Sequence, residues 1–180
     1  MFKRFYPDEW LDSAYQIDYE KMYEKGVRGI IYDIDNTLVP HGAPADVYAK
    51  TLFKRLHEIG YRVLLLSNNK EPRVKSFADD VVGALYIDRA GKPSKKGYLQ
   101  AMRDMGTKPE NTVFIGDQLF TDIWGANAVG IYTILVKQID KKEEIQIVLK
   151  RKLERIVLFF YKIYLKKQKR RGYTSIGKSI

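Results

Sequence analysis

Apolar and polar positions alternate along this chain in a way that predicts strands and helices in turn. Five apolar runs have the length of a strand: residues 28–33, 61–67, 84–88, 112–116 and 131–136. The stretches between them repeat apolar residues at three- and four-residue steps, which is the period of a helix. Five such units in succession predict an α/β fold, a parallel sheet with helices on both faces.

The intervening helices can be placed from their caps and apolar faces. The helix predicted over residues 44–60 ends at Gly60 and turns four apolar residues inward, namely Val47, Leu52, Leu56 and Ile59. Further helices are predicted over residues 68–81, with an Asn as cap, over 94–106 and over 118–130. A short helix is predicted within residues 7–16.

The C-terminal part has a different character. From about residue 141 to residue 168 no Gly or Pro interrupts the chain, which predicts one long helix. Its apolar stripe would consist of Ile145, Leu149, Leu153, Ile156, Phe160 and Ile163. Residues 156–165 are apolar nearly all round but too short to cross a bilayer, which needs roughly 20 residues. We predict a catalytic domain over residues 1–140 and a basic amphipathic helix and tail over 141–180.

Charge separates the same two parts. The net charge is +10, yet residues 1–149 carry 21 basic and 21 acidic residues. Residues 150–180 carry 11 basic residues and one acid, Glu154. The tail therefore has three interpretations: a helix packing its apolar stripe on the body, a helix lying on an anionic membrane, or an RNA-binding segment.

The cysteine content and the N-terminus bear on the chemistry available to the protein and on its cellular location. The chain has no Cys, which excludes disulfides, thiolate zinc sites and a cysteine nucleophile. The first ten residues lack the apolar core of a signal peptide. We expect a cytoplasmic protein, peripheral on the inner face of the membrane if the tail binds lipid.

Polar residues useful to one reaction follow four of the predicted strands. Asp33 and Asp35 follow the first, Ser67 the second, Lys92 the third and Asp117 the fourth. Parallel sheets bind ligands beyond the carboxyl ends of their strands. Two carboxylates repel each other and a phosphate, so a Mg²⁺ ion between Asp33 and Asp117 is expected to neutralise them. A hydroxyl and an ammonium would hold the phosphoryl oxygens, with Lys95 and Lys96 as alternatives to Lys92.

These residues resemble the motifs of the haloacid dehalogenase (HAD) superfamily of phosphatases. The matching stretches are DIDNT (33–37), LLLSN (64–68), GKP (91–93) and GDQLFTD (116–122). More narrowly, KRFYPDEW (3–10), GDQLFTDIWGAN (116–127) and the basic end resemble the subfamily IIIA, YqeG-type group. That group is related to mitochondrial phosphatidylglycerophosphate phosphatases.

The resemblance implies a role for each motif residue. Asp33 is the expected nucleophile, and Asp35 the general acid and then base, its backbone carbonyl also binding Mg²⁺. Asp117 is the expected second carboxylate ligand. Asp122 would support the metal without binding it directly. The expected phosphate-binding set is Thr37, Ser67, Asn68 and Lys92, of which Thr37 and Asn68 also brace their loops.

The spacing of the motifs leaves no room for a cap domain. Only 29 residues separate Thr37 from Ser67, and 24 separate Ser67 from Lys92. An uncapped site favours a bulky substrate, and with the resemblance we expect phosphatidylglycerophosphate. The alternatives are a nucleotide or phosphoprotein phosphatase, and a HAD-fold module whose tail binds RNA or a ribonucleoprotein. The sequence does not indicate an oligomeric state.

Overall fold

The computed structural model describes residues 2–140 and 145–170, and in the last helix it describes side chains from 152 to 168. Within these residues the chain forms six strands: β1 (Glu9–Leu11), β2 (Gly29–Tyr32), β3 (Arg62–Leu66), β4 (Ala84–Ile87), β5 (Thr112–Gly116) and β6 (Tyr132–Val136). Its α-helices are α1 (Tyr19–Glu24), α2 (Val47–Ile59), α3 (Glu71–Asp80), α4 (Lys95–Met105), α5 (Trp124–Ala128) and α6 (Ile145–Arg170).

All strand pairs are parallel, and the strands lie in the order β1-β6-β5-β2-β3-β4. Along β2, Ile30 and Tyr32 face one layer of helices and Ile31 faces the other, because successive side chains of a strand point to opposite faces. The first layer consists of α1, α2 and α3, and the second of α4 and α5. The predicted α/β fold is confirmed.

One helix, with its connections, fills each interval between β2, β3 and β4. The described residues therefore contain no cap domain over the carboxyl edge of the sheet, as predicted.

The N-terminal segment differs from its prediction. Residues 9–11 form an edge strand that pairs with β6, where a helix was expected, and the short helical turn Ala14–Gln16 follows it. The prediction was wrong because a three-residue strand is too short to show a period of two. Its backbone hydrogen bonds to β6 decide its conformation.

Two details of the helices also differ. Val47, which was predicted to face inward, is 68% exposed. Phe53, which was not in the predicted apolar face, is among the buried residues of α2. Val47 is the first residue of the helix. The N-cap of α3 is Lys70, without a side-chain cap, where an Asn was predicted.

Helix α6 packs on the body with a face other than the predicted one. Glu154, Val157 and Tyr161 are buried, and Tyr161 lies 5.1 Å from Tyr6, centroid to centroid. The described members of the predicted stripe are exposed: Leu153, Ile156, Phe160 and Ile163. Residues 141–144 and the side chains of Ile145 and Leu149 lie outside the described part, so the domain boundary at 140/141 stays a prediction.

Over residues 2–140 and 145–170, no helix combines the length and the apolar character needed to cross a membrane.

Candidate active site

The predicted site residues gather at the carboxyl end of β2, where the strand order of the sheet reverses. Strand β2 lies at the centre, with β3 on one side and β5 on the other. Ligands of open parallel sheets bind at such a switch point, beyond the carboxyl ends of the strands. Asp33 follows β2 directly, Ser67 follows β3 and Asp117 follows β5. The expected convergence of strand ends is therefore present.

Three buried carboxylates form the centre of the site. Oxygens of Asp33, Asp117 and Asp122 all lie within 4.8 Å of one another. Asp122 is the third member of this cluster, and its predicted role as an indirect support of the metal stays a prediction. A π-helical turn, Leu119–Ile123, brings it back over the end of β5.

Gly116 allows this close approach. A Cβ atom at Gly116 would lie 2.6 Å from Oδ2 of Asp122, closer than real Cβ atoms come to a neighbour. The same Oδ2 accepts a hydrogen bond from the Gln118 N–H at 3.0 Å. A larger residue at 116 would therefore displace the Asp122 side chain.

Lys92 supplies the positive charge of the cluster. Its buried Nζ donates to Asp33 Oδ1 at 2.6 Å and to Asp122 Oδ1 at 2.8 Å. Lys95 and Lys96 are exposed. Of the three candidate lysines, the fold therefore brings Lys92 to the acids.

At Asp33 and at Lys92, burial and the opposite charge of the partner shift the pKa in opposite directions. Burial raises the pKa of Asp33 to about 7, and the Lys92 ammonium opposes that rise while the charge of Asp122 adds to it. Burial alone lowers the pKa of Lys92, but the carboxylates of Asp122 and Asp33 outweigh it and hold that pKa above its ordinary value.

The donor set fits a divalent cation. Three buried carboxylates lie together and the Lys92 ammonium is paired with two of them, so carboxylates outnumber cations among these four buried side chains. Carboxylate oxygens are the hard ligands that Mg²⁺ prefers. The chemistry of the cluster therefore agrees with the metal site expected from the sequence.

Asp35 is held by three donors at the rim of the cluster. Its oxygens accept from the Gly42 N–H at 2.7 Å, from Asn69 Nδ2 at 2.5 Å and from an Arg73 terminal nitrogen at 2.9 Å. Arg73 comes from the first turn of α3, and its Nε is buried without a partner among the described residues. Sequence reasoning missed Arg73 and Asn69. The only available signal was their place directly after the predicted second motif.

The remaining predicted residues lie around this centre. Ser67 is buried, and its Oγ accepts from the Asn69 N–H at 3.1 Å, which leaves its own proton available to a ligand. Asn68 exchanges two hydrogen bonds with the Lys92 backbone, at 2.8 and 3.1 Å. Thr37 Oγ1 donates to Asp117 Oδ1 at 3.4 Å. Asn68 and Thr37 thus brace the residues that carry the charge, as predicted for their loops.

Known proteins are similar to this chain in sequence. The family model for haloacid dehalogenase-like hydrolases matches residues 45–130. A Bacillus subtilis protein described as "Probable phosphatase YqeG" is 40% identical over 160 residues, which cover 88% of this chain and 92% of that protein. The chain belongs to the YqeG-type HAD phosphatases.

A second relative is more distant from this HAD phosphatase. The phosphatidylglycerophosphate phosphatase 1 of Arabidopsis thaliana, chloroplastic/mitochondrial, is 26% identical over 167 residues. The match covers 84% of this chain and 45% of the plant protein, so the chain spans about half of that relative.

Solved structures agree on the fold. A HAD family enzyme from Bacteroides thetaiotaomicron, solved with magnesium and inorganic phosphate, superposes with a TM-score of 0.53 at 15% identity. The superposition covers 68% of this chain and 99% of that one. At this identity the likeness shows a shared fold only.

Proposed function

We propose that this HAD phosphatase hydrolyses phosphomonoesters in a magnesium-dependent reaction through an aspartyl-phosphate on Asp33. The observation that carries the proposal is the buried cluster of Asp33, Asp117 and Asp122, two of which, Asp33 and Asp122, are paired with the Lys92 ammonium. Phosphate monoesters hydrolyse extremely slowly without a catalyst, so charge neutralisation and positioning must supply most of the rate.

In the first half of the reaction, an oxygen of Asp33 attacks phosphorus and the bond from phosphorus to the leaving oxygen breaks. Asp35 donates its proton to that leaving oxygen, which departs as an alcohol. Lys92 and the Ser67 hydroxyl bind the phosphoryl oxygens as their negative charge shifts. Gly42, Asn69 and Arg73 keep Asp35 within reach.

In the second half, a water attacks the phosphorus of the aspartyl-phosphate and Asp35 takes up the proton of that water. The bond between phosphorus and the Asp33 oxygen breaks, and inorganic phosphate leaves. Both carboxyl groups are then in their starting state.

The proposed ligands of Mg²⁺ are the carboxylates of Asp33 and Asp117 and the backbone carbonyl of Asp35, with Asp122 beside them in the cluster. When bound, the ion neutralises the carboxylates and polarises the phosphoryl group.

The test is phosphate release from a panel of phosphomonoesters with and without MgCl₂, using nucleotides, phosphopeptides and lipid phosphates. We expect turnover that requires the metal and vanishes in Asp33→Asn. Turnover equal in both proteins for every substrate would refute the enzyme mechanism.

Phosphatidylglycerophosphate is the substrate we favour. Three observations support it: the likeness to the plant phosphatase, the uncapped site, and the outer face of α6. On that face Leu153, Ile156 and Phe159 are 53%, 52% and 61% exposed. Lys and Arg side chains near an anionic membrane each contribute about 1 kcal/mol of binding.

Mixed micelles of the lipid phosphate test the substrate, and vesicle flotation tests the surface. We expect the full chain to float together with phosphatidylglycerol vesicles. With phosphatidylcholine vesicles we expect it to remain in the bottom fraction. Absence of flotation together with RNA affinity that falls steeply with salt would favour the RNA-binding alternative for the tail.

A further inference from the structure

Glu154 joins the C-terminal helix to the loop that carries two acids of the cluster. It is the one acid among residues 150–180, and it is only 5% exposed. Its Oε1 accepts from the Leu119 N–H at 2.7 Å and from the Phe120 N–H at 3.4 Å. Both amides lie between Asp117 and Asp122. An isolated acid in a basic segment thus contacts the catalytic loop.

The contact gives hydrogen-bond acceptors to backbone N–H groups of the loop, those of Leu119 and Phe120. Leu119 begins the π-helical turn Leu119–Ile123, and the first N–H groups of any helical turn have no partner within it. A carboxylate in that place also makes charge-assisted hydrogen bonds, which are roughly twice as strong as neutral ones. Glu154 therefore fixes the start of the turn that returns Asp122 to the cluster.

Apolar packing strengthens the same connection. Val157 lies one helical turn beyond Glu154, and it is 4% exposed in a cluster with Leu119 and Ile123. The turn is held between the sheet and α6.

The chain preceding α6 is bound to the other acidic loop. The Ile139 N–H donates to the Asn36 backbone oxygen, and the Asp140 N–H donates to Asn36 Oδ1, each at 3.1 Å. Asn36 stands between Asp35 and Thr37 with a φ of 63°, a left-handed conformation that Asn tolerates. Both loops that carry the acids are thus contacted by residues that follow β6: one by Ile139 and Asp140, the other by Glu154 of α6.

We propose that Glu154 is a positioning residue of the magnesium site. Through the Leu119 and Phe120 amides it holds Asp117 and Asp122 where their oxygens converge, so α6 is part of the active site. This inference rests on the proposed magnesium site. Partners that orient metal ligands are worth roughly 10–100-fold in metal affinity or activity.

The experiment compares Mg²⁺ affinity in four variants of the full chain. The rise in melting temperature with MgCl₂ alone reports an apparent Kd without any turnover. We expect Glu154→Ala to weaken that Kd about 10-fold. Glu154→Gln keeps an acceptor oxygen without the charge, so its loss should be smaller. Arg155→Gln, on the neighbouring exposed position, should leave the Kd unchanged.

Val157→Ala separates positioning from loose packing, since it weakens the same contact without touching the hydrogen bonds. A Kd within twofold of wild type in folded Glu154→Ala overturns the inference. So does equal weakening in Val157→Ala. If Glu154→Ala does not fold, Glu154→Gln is compared with Arg155→Gln, and an equal Kd in these two variants overturns the inference.

Phosphate release adds a second readout. At saturating MgCl₂ the kcat of Glu154→Ala should approach that of wild type, because the defect lies in metal binding. A wild-type chain that shows no response to MgCl₂ overturns the proposed metal site and this inference together, whereas a responsive wild type with an equally responsive Glu154→Ala overturns this inference alone.

Discussion

Two buried acidic groups in this protein are compensated in different ways. Beside Asp33 and Asp122 the compensating group is the Lys92 ammonium, at 2.6 and 2.8 Å. Glu154 accepts hydrogen bonds from backbone amides of the catalytic loop, those of Leu119 and Phe120. Both arrangements lower the cost of a buried charge, which is large when no partner is present.

The difference lies in what each partner can do next. An ammonium on a long side chain can shift towards a phosphoryl group or give way to a metal ion. Backbone amides stay where the fold puts them. The first group is suited to exchanging charge during a reaction, and the second to holding a loop in place.

The largest expected effect is the loss of the proposed nucleophile. Asp33→Asn should lower phosphate release about 10⁴-fold or more, because an amide oxygen does not attack phosphorus. Steady-state release at saturating MgCl₂ measures it, with Asp104→Asn on the exposed side of α4 as control. Activity within tenfold of wild type would contradict the assignment.

Removing the Lys92 ammonium tests the first arrangement directly. Lys92→Met leaves the buried acids unpaired, and breaking a buried ion pair in this way costs about 3–5 kcal/mol. Urea unfolding without metal should show that loss in the free energy of unfolding, and MgCl₂ should recover part of it. Lys95→Met, at an exposed position, should change it by less than about 0.5 kcal/mol. Equal stability of the two variants would contradict the role of Lys92.

A smaller effect is expected at the rim of the site. Arg73→Ala removes one of the three groups that hold Asp35, and misplacing a catalytic group by about 1 Å can cost roughly 100-fold. We expect kcat to fall about 10–100-fold with Mg²⁺ affinity unchanged, and Arg73→Lys to recover part of the loss. A change confined to KM would place Arg73 in substrate binding instead.

The two faces of α6 provide the smallest contrast. Val157→Ala should lower the free energy of unfolding by about 1–2 kcal/mol, from roughly 0.8 kcal/mol per buried methylene. Phe159→Ala, on the outer face, should cost less than about 0.5 kcal/mol but weaken vesicle binding. Equal destabilisation by the two changes would mean that the outer face is also covered by protein.

Most of the active-site neighbourhood could be predicted from the sequence because it depends on strand ends. In a parallel sheet the carboxyl ends share one edge, so Asp33, Ser67 and Asp117 had to lie near one another once the strands were recognised. Asp122 and Arg73 were harder to place. Asp122 joins the cluster only because the π-helical turn folds back over Gly116, and Arg73 because α3 points its first turn at Asp35.

Periodicity and turn residues are local properties, so the sequence by itself determined the strands β2 to β6, the helices between them and the acidic strand ends. It also predicted that the described part of α6 is helical. Which face of α6 packs inward was decided by tertiary structure alone. Both sides of this helix are apolar, and the contacts that select one of them come from distant parts of the chain, the N-terminal segment around Tyr6 and the amides at Leu119 and Phe120.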